Sequence, residues 1–315
     1  MIRCGIALAG ALMLSACWAD DQGGTVVVKP GAAKSAKLQA ASTLTTPTYT
    51  KFADLTGDQA FTSACVLASP LPALVSLPDQ GLAFGYAAAT QTWSITGDGQ
   101  NLSFGPADID TSVPAGLPFY AKPGTGGFTN RLRIQTPGIV GIGPLEYART
   151  VSVISNATGP AKSYICAIGV PTDVTDVPAT STVTYNAAYG GSVVRTITGG
   201  GSTTMSLGKS PVTLSADLLT GQVAMTIHLI ATPSSGADID LGTVTGTADI
   251  DPATGGYYGI TWSSATLTSI SGQFSGRFYG PQGKEAVLAL SLNATSASTS
   301  PTYTLRTTGT VIGIQ

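Results

Sequence analysis

The sequence predicts an all-β protein: an eight-stranded antiparallel up-and-down β-barrel preceded by a small β-rich domain. Three observations carry this. Residues 178–315 alternate apolar and polar positions with the period of two that places one face of a strand inward. Short turn sequences, "LLTGQ", "DPATGG", "GPQGK" and "ATSASTS", separate the alternating stretches, so consecutive strands are joined as hairpins. An antiparallel sheet of that length with one apolar face removes its free edges by closing on itself. A β-sandwich is the competing architecture, and the alternation of Gly with Phe in "GQFSGRFYG" favours the barrel, since small residues relieve crowding inside a narrow closed sheet.

The apolar faces can be written residue by residue. They are Val183, Tyr185 and Ala187; Val212, Leu214, Ala216 and Leu218; and Val223, Met225, Ile227, Leu229 and Ala231. Further on come Tyr258, Ile260 and Trp262; Phe274, Gly276, Phe278 and Gly280; Ala286, Leu288, Leu290 and Leu292; and Tyr303, Leu305 and Val311. With "SVVRTIT" and "DIDLGTVTGTADI" added, eight or nine strands are expected. The aromatic members of this set predict a filled lumen.

Ahead of the barrel, residues 50–177 hold short strands around turns such as Gly97-Asp98-Gly99, and "GVPTDVTDVPATST" marks the boundary. One short helix is expected within "LTGDQAFTSACVLA", capped by Thr56 with Asp58 and Gln59 in its first turn.

The N-terminus sets the compartment. "MIRCGIALAGALMLSAC" pairs Arg3 with an apolar stretch and small residues before Cys17, which reads as a signal peptide over residues 1–16. Leu14-Ser15-Ala16-Cys17 resembles a bacterial lipobox, so Cys17 is the expected lipidation site. Several acyl chains at about 0.8 kcal/mol per buried methylene hold a protein on a membrane without a spanning segment. Trp18 replaces the Asp that marks inner-membrane retention in such lipoproteins, which points to the outer membrane of a Gram-negative bacterium, with the folded part lipid-anchored and surface exposure expected. Residues 17–49 follow as a lipidated cysteine and tether, with a flexible-chain reach on the order of 30 Å. Once Cys4 leaves with the signal and Cys17 is acylated, Cys65 and Cys166 are the remaining thiols, and in an oxidising compartment a disulfide between them is the simplest reading.

Composition excludes several functions. Of 315 residues only 10% are charged, net charge is −2, and no basic run exists, so the phosphate-neutralising surface of a nucleic-acid binder is missing. The single histidine, His228, lies on the polar side of its strand, which argues against a Ser-His-Asp centre. "LGKSP" lacks the first glycine of a phosphate loop, "GIGPLE" lacks the third glycine of a dinucleotide fingerprint, and the Asp249 to Gly256 stretch lacks the twelfth-position Glu of a calcium loop. No catalytic residue, cofactor or metal ligand is expected, and the ligand-binding residues are not identifiable.

"FSGRFYGPQGKEA", residues 274 to 286, contains Phe278, Tyr279, Gly280, Pro281 and Glu285 in the spacing of a barrel motif. Local reasoning puts Phe278 inward, Tyr279 outward, Gly280-Pro281 in a turn, and Lys284-Glu285 together as a solvated pair. The stretch resembles the terminal barrel motif of transferrin-binding protein B and its lipoprotein relatives; "GVPTDVTDVPATSTVTYNAAYGG" and "LSADLLTGQVAMTIHL" are similar to the same family's barrel. Gly283 and Ala286-Val287 depart from the family pattern, and one barrel stands where large members have two, so the chain looks like the small transferrin-binding-like solute-binding proteins. The resemblance implies a handle domain ahead of the barrel, a structural role for the motif, and non-enzymatic capture of a protein or haem-type ligand for iron acquisition. It implies delivery to a TonB-dependent transporter. A lipocalin-like barrel holding a small apolar molecule, and a structural envelope protein without ligand, are the alternative readings.

Overall fold

A computed structural model of the chain describes residues 47–70, 72–113, 119–156, 159–177, 182–297 and 302–315. The predicted signal peptide, Cys17 and the tether up to residue 46 lie outside the described residues.

Residues 59–169 form two packed antiparallel sheets. Their strands are β1 (Gln59–Phe61), β2 (Ala64–Ser69), β3 (Leu74–Val75), β4 (Ala83–Ala87), β5 (Thr92–Gly97), β6 (Gln100–Phe104), β7 (Phe119–Pro123) and β8 (Thr129–Gln135), then β9 (Gly138–Ile139), β10 (Gly143–Pro144), β11 (Ala148–Ser155) and β12 (Lys162–Gly169). One sheet runs β1-β4-β5-β6 and the other β3-β2-β12-β11-β8-β7, with β9 and β10 as a separate hairpin. Alternation decides the packing. Phe84, Ile95 and Phe104 from the first sheet meet Leu132, Val151, Val153, Cys166 and Ile168 from the second, all nearly solvent-free. This part is called the handle below.

The helix expected around Thr56 is replaced by β1 and β2. The apolar residues Phe61, Cys65 and Leu67 face the handle core at strand spacing, and Cys65 stands directly opposite Cys166 in the β2–β12 ladder. That partner, a hundred residues away, is what local helix signals do not contain. The two cysteines form a disulfide, both buried.

The second part is a closed barrel. Its strands are β13 (Thr182–Ile197), β14 (Ser202–Ser206), β15 (Pro211–Asp217), β16 (Gln222–Ala231), β17 (Ile239–Ile250), β18 (Gly256–Ser263), β19 (Leu267–Tyr279), β20 (Glu285–Ser296) and β21 (Tyr303–Ile314). Each pairs antiparallel with the next in sequence, except that β14 and β15 both pair with β13, along its later and earlier halves. They act as one stave interrupted by the turn at 207–210, where Ser210 N donates to Leu207 O. Eight staves result, and β13 pairs with β21 from Asn186↔Ile314 to Ile197↔Tyr303 to close the cylinder.

The inward faces follow the sequence alternation almost everywhere: Leu214, Val223, Met225, Ile227, Leu229, Phe274, Leu288, Leu290, Leu305 and Val311 are all nearly solvent-free inside. One strand departs. On β18 it is Tyr257, not Tyr258, that enters the lumen, and Ile260 is half exposed. The β17–β18 register shifts between Thr247 and Asp249, so the extra residue of a bulge inverts the parity before Trp262 returns inward against Phe274.

Candidate ligand-binding surface

Among the described residues, large side chains fill the lumen. Tyr185, Tyr257 and Phe278 stack across it with centroids 5.2 to 6.2 Å apart, and Trp262 meets Phe274 edge-on at 5.4 Å. The recess at its mouth, bordered by Val177, Tyr185, Leu218 and Phe278, does not admit a water molecule. Burial pushes the phenols of Tyr189 and Tyr257 well up from their ordinary value, so both remain neutral hydroxyls.

The motif residues join barrel to handle. Phe278 fills the lumen as expected. Tyr279 leaves the barrel, but it is buried against Leu145, Tyr147 and Ala148 of the handle and not solvated. Gly280 has φ +73° and its Cα lies so near Tyr147 that an added Cβ would sit 2.4 Å from the ring, which only glycine avoids. Its N–H donates to Val170 O, its carbonyl accepts from Thr172 Oγ1, and Thr172 N donates to Phe278 O. The handle's last residues therefore pair with the motif's main chain. Pro281 opens the tight turn that leads to β20.

The Lys284-Glu285 pair is corrected by the structure. The two side chains do not pair with each other. Glu285 is 1% exposed, and its carboxylate accepts from the main-chain N–H of Glu146 at 2.5 Å and from those of Tyr147 and Ala148 at 3.0 Å. Burial raises its pKa, and the three donors pull against that. Lys284 crosses to Glu146, which Lys51 also contacts, and these two ammonium groups lower the Glu146 carboxyl from its ordinary value. Farther along the same wall Arg277 pairs with Asp79 of the handle. Asp79, Glu146 and Tyr147 carry no signal in isolation; the signal that could have revealed the interface is "EAVLALSLN", where Val287 and Ala289 are apolar on the outer parity. Both prove solvent-free under the handle.

Beside the handle contact, the barrel wall has an open seam. The β18–β19 ladder runs only from Gly256↔Arg277 to Gly259↔Phe274. Beyond it, Ile260–Ser263 and Leu267–Gln273 have no pairing between them; Thr261–Ser263 are backed by β17, and Leu267, Thr268 and Ser271–Gln273 by β20, with a register shift on each of these outer sides. Trp262 lies in the floor, its Nε1 against Gly272 and without a hydrogen-bond partner. The handle's β3 reaches this place: Val75 N donates to Gln273 Oε1. Ile260 on β18 and Leu74 on β3 are large apolar residues 50% and 53% exposed.

His228 points outward as expected and pairs with Asp240 at 3.0 Å. Gly208 to Ser210 form the turn between β14 and β15, and Asp251 caps a hairpin turn by accepting from Ala253 N and Thr254 Oγ1. A shallow depression on the four-stranded sheet is lined by small neutral residues, Ala60, Thr62, Ala83, Gly85, Ser94 and Thr96 among them.

No protein-family model matches the chain, and no curated protein matches it. Among solved structures it is similar to transferrin binding protein B from serogroup B Neisseria meningitidis, at 15% identity and a TM-score of 0.40 over 81% of this chain and 43% of that one. It is also similar to a double mutant of transferrin binding protein B from Haemophilus parasuis, at 12% identity and a TM-score of 0.39 over 82% of this chain and 45% of that one. The chain thus spans less than half the length of either.

Proposed function

We propose that the chain is a lipoprotein of the outer membrane that captures a ligand on its outer surface and leaves it chemically unchanged. The observation that carries this is where free surface remains: the lumen is packed with side chains, while Ile260 on the barrel wall and Leu74 on the handle are exposed and β18 and β19 are unpaired beyond Gly259 and Phe274. The packing of Tyr185, Tyr257, Phe278, Trp262 and Phe274 inside the barrel supports this over a lumenal, lipocalin-like mode. The ligand class is a protein, and an iron- or haem-bearing one passed to a TonB-dependent transporter is the finer reading that the motif resemblance supports.

The test uses residues 18–315, immobilised and offered a panel of iron- and haem-bearing proteins, haemoglobin and transferrin included. Saturable retention of one of them is expected; retention of none, together with no retention of any protein from the growth medium, overturns capture. Anchoring is tested separately. Cys17→Ser is expected to move the protein from the membrane to the soluble fraction, and unchanged fractionation counts against lipidation. Protease added to whole cells is expected to remove the protein; full protection excludes an extracellular partner.

A further inference from the structure

The seam between β18 and β19 has a chemistry of its own. In a closed barrel each strand pairs on both sides, because an unpaired main-chain N–H or C=O is a standing template for another strand. Here the template is left open over Ile260–Ser263 on one edge and Leu267–Gln273 on the other. Each edge is backed over part of its length, Thr261–Ser263 by β17 and Ser271–Gln273 by β20. Their side chains are Ile260, Thr261, Ser263, Thr268, Ile270, Ser271 and Gln273 for the most part, with no charged group among residues 260–273. The indole Nε1 of Trp262 adds an unused donor in the floor.

We infer that this seam takes an extended, uncharged segment of a partner protein by strand addition, its main chain pairing with the free edge of β18 or β19. The inference deepens the capture reading and rests on it. Main-chain pairing supplies the affinity, and alternate side chains of the segment meet exposed Ile260 on the barrel and Leu74 of β3, which Gln273 ties to the seam. A charged segment would lose water at a rim that offers it no counter-charge. A second copy of this chain does not fit, because its own β18 and β19 are built into a cylinder and cannot enter a slot between strands. The occupant is an extended stretch with neutral residues, such as a loop or terminus of the captured protein.

The experiment has two readouts on residues 18–315. Hydrogen exchange of the free protein is expected to show the seam-facing amides of 260–263 and 267–273 exchanging at least a hundredfold faster than those of 256–259 and 274–277. Equal protection on both sides of Gly259 means that the seam is closed and overturns the inference. The second readout pans a phage-displayed random heptapeptide library against the protein. Enriched peptides are expected to be uncharged, to slow seam exchange when added, and to bind at least tenfold more weakly to I260C/Q273C in its oxidised form, where the bridge shuts the seam. Enrichment of no peptide, or equal binding to the bridged variant, overturns strand addition. Should the bridged variant still retain the protein captured by the panel above, capture stands and the seam does not; should peptides bind while the panel fails, the reverse holds.

Discussion

Glu285→Ala is expected to lower the unfolding free energy by about 3–5 kcal/mol, read from the midpoint of urea denaturation. The reason is geometric. Three consecutive N–H groups, those of Glu146, Tyr147 and Ala148, converge on one buried carboxylate, and an alanine leaves them facing a space without an acceptor. Each orphaned donor costs about 1–3 kcal/mol, and the relief from no longer burying a carboxylate offsets part of the sum. Glu285→Gln keeps one carbonyl oxygen in place and should cost clearly less than the alanine. The pH dependence separates the two contributions. Burial holds the folded-state pKa of Glu285 above its unfolded value. For a raised pKa, the associated stability is fully present below the unfolded value, about 4.3, and is lost as pH rises through the folded one. The advantage of the native chain over Glu285→Gln is therefore expected to shrink as pH rises from about 4 toward 7. Glu146, whose pKa is lowered, acts with the opposite sign, but it is present in both proteins and cancels in the difference. An advantage that grows with pH would show that the three donors outweigh desolvation.

The paired substitution Cys65→Ser with Cys166→Ser is expected to cost about 5 kcal/mol. The bond joins residues 101 apart, and closing a loop of that size removes chain entropy from the unfolded state corresponding to about 4.7 kcal/mol in the chain-entropy model. The serines leave hydroxyls in a site where both sulfurs are buried among Leu82, Phe84 and Ile168, which adds to the loss. A urea midpoint within experimental error of the native one would show that the handle sheets hold their register without the bond. Because β2 also lies over the barrel strand β20 through Val66 and Ala289, the handle–barrel contact should loosen with it.

How far the fold was legible depends on whether the deciding contact is periodic. Val223, Met225, Ile227, Leu229 and Ala231 announce a barrel face because every second residue repeats the same instruction, and all five are buried. Tyr258 misleads because one bulge residue reverses that parity, and nothing within "YYGITWSS" marks where the extra residue sits. Cys65 was legible as a disulfide partner by subtraction, yet its strand was not, since capping-type residues at 56–59 gave a local signal that the long-range pairing with β12 overrides. Glu285 was placed in solvent and is buried. Its partners are backbone amides nearly 140 residues upstream, and backbone amides have no signature in a sequence. The seam lies still further out of reach, for it is a pairing that is not made.

Glu285, Arg277 with Asp79, and the main-chain links of Val170 and Thr172 to residues 278–280 fasten handle and barrel at several separated points. Fastening at several separated points opposes a hinge motion between the two parts. On the capture reading, cargo is then not ejected by an opening motion and no stored conformational energy drives its release. Residence time is set by the contact itself and by whatever competes for the same surface, so handover to a receptor becomes a matter of exchange kinetics, governed by relative off-rates and local concentration.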